Sequence, residues 1–177
     1  MMHDDRSSPL TLPPFDQVIT EHGPALLRLC HALSGPQEAE DIWSETFLAA
    51  LAAYPKLESA ANLRGWLATI ARRKSIDRHR SANRAAVPVA DLPEPSSTNG
   101  RLSDDHDQLF SIERSGELRQ ALAGLSGRQR EAILFHYVID LPYAEVGRLI
   151  GSSEDAARRA AADGIAALRR GLTEVAG

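Results

Sequence analysis

The stretch NLRGWLATIARRKSIDRHRSANR, residues 62 to 84, governs how the rest of the chain is read. Within it Leu63, Trp66, Leu67 and Ile70 recur at i, i+3, i+4 and i+7, one face of a helix that must be buried against something. Seven of the twenty Lys and Arg residues, Arg64, Arg72, Arg73, Lys74, Arg78, Arg80 and Arg84, lie mostly off that face. Asn62 stands where it can cap the helix. Ile76 departs from the apolar stripe, so either a second contact surface begins there or the helix bends. An anchored helix that presents arginines is what a nucleic-acid surface requires, and a solvated basic helix would look the same. This segment alone leaves both readings open.

Working outward, 177 residues suffice for one medium domain or two small ones, and 43% apolar with 25% charged residues is ordinary globular composition. Only 5% of residues are aromatic while Ala and Leu abound, which favours helices packed on helices. The single cysteine, Cys30, sits in an apolar helical pattern, so no disulfide framework or thiolate zinc site is available and it reads as a small core residue. The N-terminal MMHDDRSSPLTLPP holds no apolar run suited to a signal peptide, and no 18 consecutive residues are apolar. A soluble, cytoplasmic protein without membrane insertion is expected.

The net charge of −4 argues against nucleic acid only until it is mapped. Residues 1 to 84 carry ten basic and ten acidic side chains, residues 115 to 177 eight of each, and residues 85 to 114 two basic and six acidic. The excess negative charge is central, and each neutral flank can still show a phosphate a basic patch within the roughly 8 Å screening length.

Residues 1–14 read as a disordered lead. Phe15, Val18, Ile19, His22, Leu26, Leu29, Cys30 and Leu33 keep helical spacing across Gly23-Pro24, as one kinked helix or two abutting ones. His22 reads as a packed residue, with no second His or Cys at ligand spacing. Ser34 and Gln37 have capping-box spacing, with Pro36 near the first turn. In the next helix Ala39, Ile42, Trp43, Thr46, Phe47, Ala50, Leu51 and Tyr54 form the expected buried stripe, opposite Glu38, Glu40, Asp41, Ser44 and Glu45. Carboxylates there suit a helix N-terminus whatever else they do.

From Ala85 to Gln108 periodicity vanishes, and VPVADLPEPSSTNGRLSDDHD has linker composition. Beyond it Leu109, Ile112, Leu118, Leu122 and Leu125 approximate a helical face. Ser126 and Gln129 repeat the capping-box spacing, and EAILFHYV forms a central apolar helix. A helix from Tyr143 to Ile150 follows, broken at Gly151-Ser152, and Ser153 caps the last one. The expectation is an all-α protein of two small helical domains, 15–84 and 109–177, joined by a flexible acidic linker at 85–108. The second contains a helix-turn-helix, a geometry also common in proteins that never meet DNA.

Three segments in this order resemble the extracytoplasmic-function (ECF) group of bacterial sigma factors. EAEDIWSETFLAAL (38–51) is similar to the segment that binds the clamp of the largest polymerase subunit. NLRGWLATIARRKSIDRHR (62–80) is similar to the reader of the minus-ten promoter element. LSGRQREAILFHYVIDLPYAEVGRLIGSSED (125–155) is similar to the domain that reads the minus-thirty-five element. The resemblance implies polymerase contacts from Glu40, Asp41, Ser44 and Glu45. It implies minus-ten contacts from Asn62, Trp66, Arg72, Arg73, Arg78 and Arg80, with Asp77 orienting Arg80. Arg128, Arg130, Ser152, Ser153, Arg158 and Arg159 would contact the minus-thirty-five element. It further implies core RNA polymerase and promoter DNA as partners, an anti-sigma factor as regulator, a linker that threads toward the nucleic-acid channel, and no catalytic residue, metal or cofactor.

The chain departs from the family pattern at several positions. Arg73 stands where Asn is common and Ser44 where Gln is. The last helix lacks the usual Thr and holds seven alanines between 156 and 167, interrupted by Asp163 and Gly164, the glycine costing about 1 kcal/mol of helix propensity. Either the minus-thirty-five preference is unusual or this domain has become a protein-docking module. A rival reading is a stand-alone helix-turn-helix regulator that binds duplex DNA without polymerase. An enzyme would need a phosphate loop, a metal cluster or a partnered nucleophile, and the sequence offers none.

Overall fold

The computed structural model describes residues 12–59, 61–85 and 112–175. Most of the expected lead and the expected linker therefore lie outside the described residues. Every regular element among the described residues is helical: α1 (Phe15–Ser34), α2 (Pro36–Ala53), a short 3-10 turn (Tyr54–Lys56), α3 (Leu63–Ala85), α4 (Ile112–Ala123), α5 (Gly127–Ile133), a π-helical turn (Leu134–Val138), α6 (Tyr143–Ile150) and α7 (Glu154–Val175).

Helices α1, α2 and α3 pack on one another as a first bundle, with Leu26, Leu29, Ile42 and Leu67 fully buried in it. α1 runs unbroken through Pro24. Gly23 leaves room for the indole of Trp43, whose N–H donates to the Gly23 carbonyl at 3.0 Å, so the expected interruption is instead the contact point between α1 and α2. Cys30 is buried and desolvation pushes its thiol up to about 12, which keeps it protonated and inert.

Ser34 and Gln37 do not form a capping box. Ser34 ends α1, its hydroxyl lies 2.6 Å from that of Ser75 on α3, and the α2 cap is Gly35, at φ 82°. The Ser34–Ser75 contact also settles the question at Ile76. α3 stays one helix, and its buried face continues through the small residues Ala68, Ala71 and Ser75, the last of which meets Ser34 of α1, while Ile76 is half-buried. A stripe traced through large apolar residues alone misses this continuation.

In the second bundle α7 packs along α5 and α6. Ser126 and Gln129 form the reciprocal capping box the sequence leads one to expect. The run after it is not a plain α-helix. Leu134 to Val138 widen to π spacing, the Ile139 N–H bonding the Leu134 carbonyl five residues back, and Asp140 turns the chain at φ 61°. Ala132, Ile133, Leu134 and Phe135 are buried, as their apolar character requires.

The alanine-rich α7 has a packing reason. Ala157, Ala161, Gly164 and Leu168 form its buried face. A Cβ at Gly164 would come within 2.6 Å of Ile133 Cδ1 and 3.2 Å of Gln129 Cβ, so the glycine sets the α5–α7 distance and is not merely a weak point in the helix.

Candidate nucleic-acid interface

Asn62 caps α3 through a 2.9 Å bond from the Gly65 N–H to its Oδ1. Downstream, Trp66 is half-buried and tilts against Tyr54 at 6.3 Å between ring centroids, its rim lining a cleft of about 460 Å³ together with Arg72, Arg73 and Arg148. Arg73, Arg80 and Arg84 are exposed along the same helix. Not all of the α3 cations point to solvent. The Arg72 Nε and Nη2 donate to the two carboxylate oxygens of Glu131 on α5 at 2.8 and 3.0 Å. Arg78 folds back onto α2, where it bonds Glu45 and, at 3.3 Å, Asp41, while Lys74 lies 3.7 Å from Glu45.

The Arg78 contact corrects the expected role of Asp77. Asp77 and Arg80 are both exposed and form no ion pair with each other, and the ordered intradomain link is Arg78 to Asp41 and Glu45. Hydrogen bonding from Arg78 holds the Glu45 carboxyl below its ordinary value and raises Arg78 in turn. Two residues expected on the polymerase side thus bind one expected on the DNA side.

Glu40, Asp41 and Ser44 are exposed on α2, and Glu45 is half-exposed. The same surface carries Leu48 and Leu51, 68% and 51% exposed, large apolar residues in open solvent. Leu51 therefore does not belong to the buried stripe. Counting i+3 and i+4 steps from Ser44 reaches Leu48 and Leu51, so helical geometry could have found this patch. The error lay in assigning Leu51 to the core and leaving Leu48 without a role.

In the second bundle Pro142 precedes α6, Gly151 ends it in the left-handed region at φ 70°, and Ser153 caps α7 through the Ala156 N–H at 3.2 Å. Gly147 permits the tight turn, since a Cβ there would meet the Ser152 carbonyl oxygen at 2.9 Å. Ser152 is half-buried, and Ser153 and Arg159 are exposed at the start of α7. Arg158 is tethered by Glu154 at 2.6 Å and Asp155 at 3.4 Å, with its guanidinium 5.4 Å over the Tyr143 ring. Arg128 is exposed on α5; Arg130 is half-buried with its Nε unpartnered. The side chains expected to contact DNA thus lie in two groups, one along α3 and one on the second bundle, divided there between the start of α5 and the α6–α7 turn.

These two groups sit within two matched families of sequence. Residues 18–85 match Sigma-70 region 2, and residues 115–168 match Sigma-70, region 4. The ECF RNA polymerase sigma factor SigE of Mycolicibacterium smegmatis is 28% identical over 79% of this chain, which spans 54% of that protein. SigD of Mycobacterium tuberculosis is 30% identical over 80% of the chain and 69% of that protein. The fold is also that of the sigma factor RpoE in its complex with the anti-sigma factor NepR from Bartonella quintana, at a TM-score of 0.69 and 24% identity, over 90% of this chain and 96% of that one. The chain belongs to the ECF sigma factors of the sigma-70 family. No described helix is long and apolar enough to cross a membrane.

Proposed function

We propose that this chain is a promoter-specificity subunit: it binds core RNA polymerase, recognises and melts promoter DNA, and starts transcription of a particular gene set in the cytoplasm without catalysing a reaction itself. The observation that carries this is the arrangement of α2 and α3. They lie against each other, one presenting an acidic and apolar surface and the other a line of arginines. Glu40, Asp41 and Ser44 with Leu48 and Leu51 supply charge that steers and apolar area that anchors, the combination expected of a docking face for the polymerase clamp. Asn62, Trp66, Arg72, Arg73, Arg78 and Arg80 are assigned to the minus-ten strand, where cations neutralise phosphates and an aromatic rim supports an unstacked base.

For the minus-thirty-five element, Arg128, Arg130, Ser152, Ser153 and Arg159 remain the assigned contacts. Arg158 is tethered to Glu154 and Asp155 and must exchange those partners for phosphate. Two carboxylates at the start of α7 favour an atypical sequence preference there. An anti-sigma factor belongs to this reading as a regulator, and the linker at 85–108 as the connector between the two bundles.

The test is transcription in vitro with core polymerase and a genomic promoter library, comparing the parent with Leu48→Glu/Leu51→Glu. Promoter-dependent RNA from the parent and its loss in the double variant, together with loss of polymerase co-purification, is the expected result. No RNA and no co-purification from the parent would overturn the reading. Tight binding of duplex DNA by the isolated protein would then favour a stand-alone regulator.

A further inference from the structure

A half-buried cation is unfavourable unless an acceptor accompanies it, and this chain follows that rule with one exception. Among the described residues the half-buried cations are Arg64, Arg72, Lys74, Arg78 and Arg130. Asp140 accompanies Arg64, Glu131 accompanies Arg72, and Glu45 takes both Lys74 and Arg78. Arg130 has no carboxylate partner among the described residues, and its Nε is buried without an acceptor. It lies one turn past the Ser126 cap of α5, beside a cleft that none of the contacts described so far uses.

This cleft has a volume of about 520 Å³ and lies between the end of α1 and the helices α4 and α5. That size is ordinary for a small-molecule site. Its cations are Arg130 and Arg119, an exposed residue of α4, and Gln120 adds an amide that can donate or accept. No residue lining it is acidic, whereas the cleft beside Trp66 carries Glu145 and the one beside His22 carries Glu21, Asp140 and Glu145. The other walls are the short apolar side chains of Ala32, Leu33 and Ala123. Gly35 and Gly116 complete them, and a Cβ added at either would meet nothing within 4 Å, so the space beside both glycines is open. Two guanidiniums with no carboxylate between them call for an acceptor that brings about two negative charges. A phosphate monoester does so near neutral pH, and its oxygens suit the planar fork of arginine. A single carboxylate would leave one cation unmatched, and the apolar walls suit an organic body that free phosphate lacks.

We infer that the cleft between the end of α1 and α4 is a binding site for a small organic phosphate, held by Arg119 and Arg130 with its body against Leu33 and Ala123. Arg130 is assigned above to the minus-thirty-five element, where its acceptor would be a phosphate of duplex DNA, so the same chemistry has two sources. Enclosure favours the small molecule. Arg130 is half-buried and shares its cleft with residues of α1, whereas Arg128, two positions earlier, is exposed as a duplex contact requires. A ligand held there stabilises the folded chain by mass action, so the thermal midpoint rises with its concentration.

The experiment uses the full chain with AMP and phenyl phosphate as probes and adenosine as the uncharged control, followed by titration calorimetry and by the amide NMR shifts of Gly35 and Gly116. A labelled duplex of mixed sequence, followed by fluorescence anisotropy at fixed salt, forms the second arm. Both phosphates are expected to bind one to one and to shift both glycine amides, with adenosine weaker by about tenfold or more. Arg130→Gln should weaken the phosphates by about tenfold or more. Gly116→Leu should abolish their binding by filling the open space with every charge in place. Leu is favoured over Gly in a helix, so this variant keeps the inference testable if Arg130→Gln folds poorly. Lys56→Gln removes an exposed cation of the 3-10 turn, outside the cleft, and should change nothing. No binding of either phosphate at millimolar concentration, or binding that survives Gly116→Leu, overturns the site. Equal loss in Lys56→Gln overturns it by showing general attraction of anions to the surface, and adenosine bound as tightly as AMP overturns the role of the phosphate. Duplex binding that falls in Arg130→Gln while neither small phosphate binds overturns the small-molecule site and returns Arg130 to DNA.

Discussion

Replacing Gly147 by Ala tests the geometry of the α6–α7 turn, because two effects of known size oppose each other there. Gly147 lies inside α6, where Ala is favoured over Gly by about 1 kcal/mol on helix propensity alone. A Cβ at that position would meet Ser152 O at 2.9 Å, Ser153 C at 3.0 Å and Ser153 O at 3.0 Å. All three are backbone atoms and cannot rotate away. The turn is also held by the Ser152 N–H bonded to the Gly147 carbonyl at 2.7 Å. Restoring a carbon contact of about 3.5 Å demands a shift of about half an ångström between α6 and the start of α7. Overpacking of this kind costs about 1–3 kcal/mol, so the net expectation is a loss of about 1 kcal/mol. Gly116 in α4 supplies the reference, since nothing lies within 4 Å of its added Cβ, and Gly116→Ala should gain about 1 kcal/mol. Urea denaturation followed by circular dichroism would measure both, and thermal midpoints should move in opposite directions by about 2–4 °C each. A Gly147→Ala protein stabilised as much as Gly116→Ala would refute the close approach that positions α7.

Three further outcomes follow from contacts elsewhere. Ser126→Ala removes one half of the α5 capping box and should cost about 1 kcal/mol in urea denaturation, whereas Ser153→Gly, which keeps a tolerated cap residue, should cost only a few tenths. Trp43→Phe keeps the ring packing on Phe47 but loses the indole bond to the Gly23 carbonyl, for a loss of about 1 kcal/mol in the same assay. Acid should weaken the fold in two stages. Burial depresses His22 below its ordinary 6.5, so the unfolded chain takes up the proton first and stability falls as pH drops below that value. Arg78 depresses Glu45 below its ordinary 4.5, and that contribution, present above 4.5, is lost as pH falls through the folded-state value. Denaturation midpoints across this range in His22→Gln should show a smaller first stage, the remainder belonging to His31, which burial also depresses, and an unchanged second; an unaltered first stage would assign all of it to His31.

Much of the helical plan is legible because it depends on local spacing. The α3 stripe, the Ser126–Gln129 box, the Gly151 stop and the Ser153 cap are each set by residues within one or two turns of each other, and the structure holds them as the sequence implies. The misreadings share one physical origin, that a residue's hydrophobicity or size does not say which neighbour it meets. Leu51 has the character of a core residue and lies in solvent, while Ala68, Ala71 and Ser75 look unremarkable and are buried, Ser75 against Ser34 of α1. Gly164 reads as a defect in α7 and is the point where α5 touches it.

The same distinction divides the functional surface. The order of residue types along the chain, an acidic helix, then an arginine-bearing helix, then a helix-turn-helix, is fixed by sequence alone and carries the family membership. Which arginines are free was decided only in three dimensions. Arg73 and Arg80 face solvent, Arg78 is tied to Asp41 and Glu45 from α2, and Arg72 is held by Glu131, 59 positions away. Charge is written residue by residue, but an ion pair depends on the distance between side chains, and that distance exists only once the helices have packed.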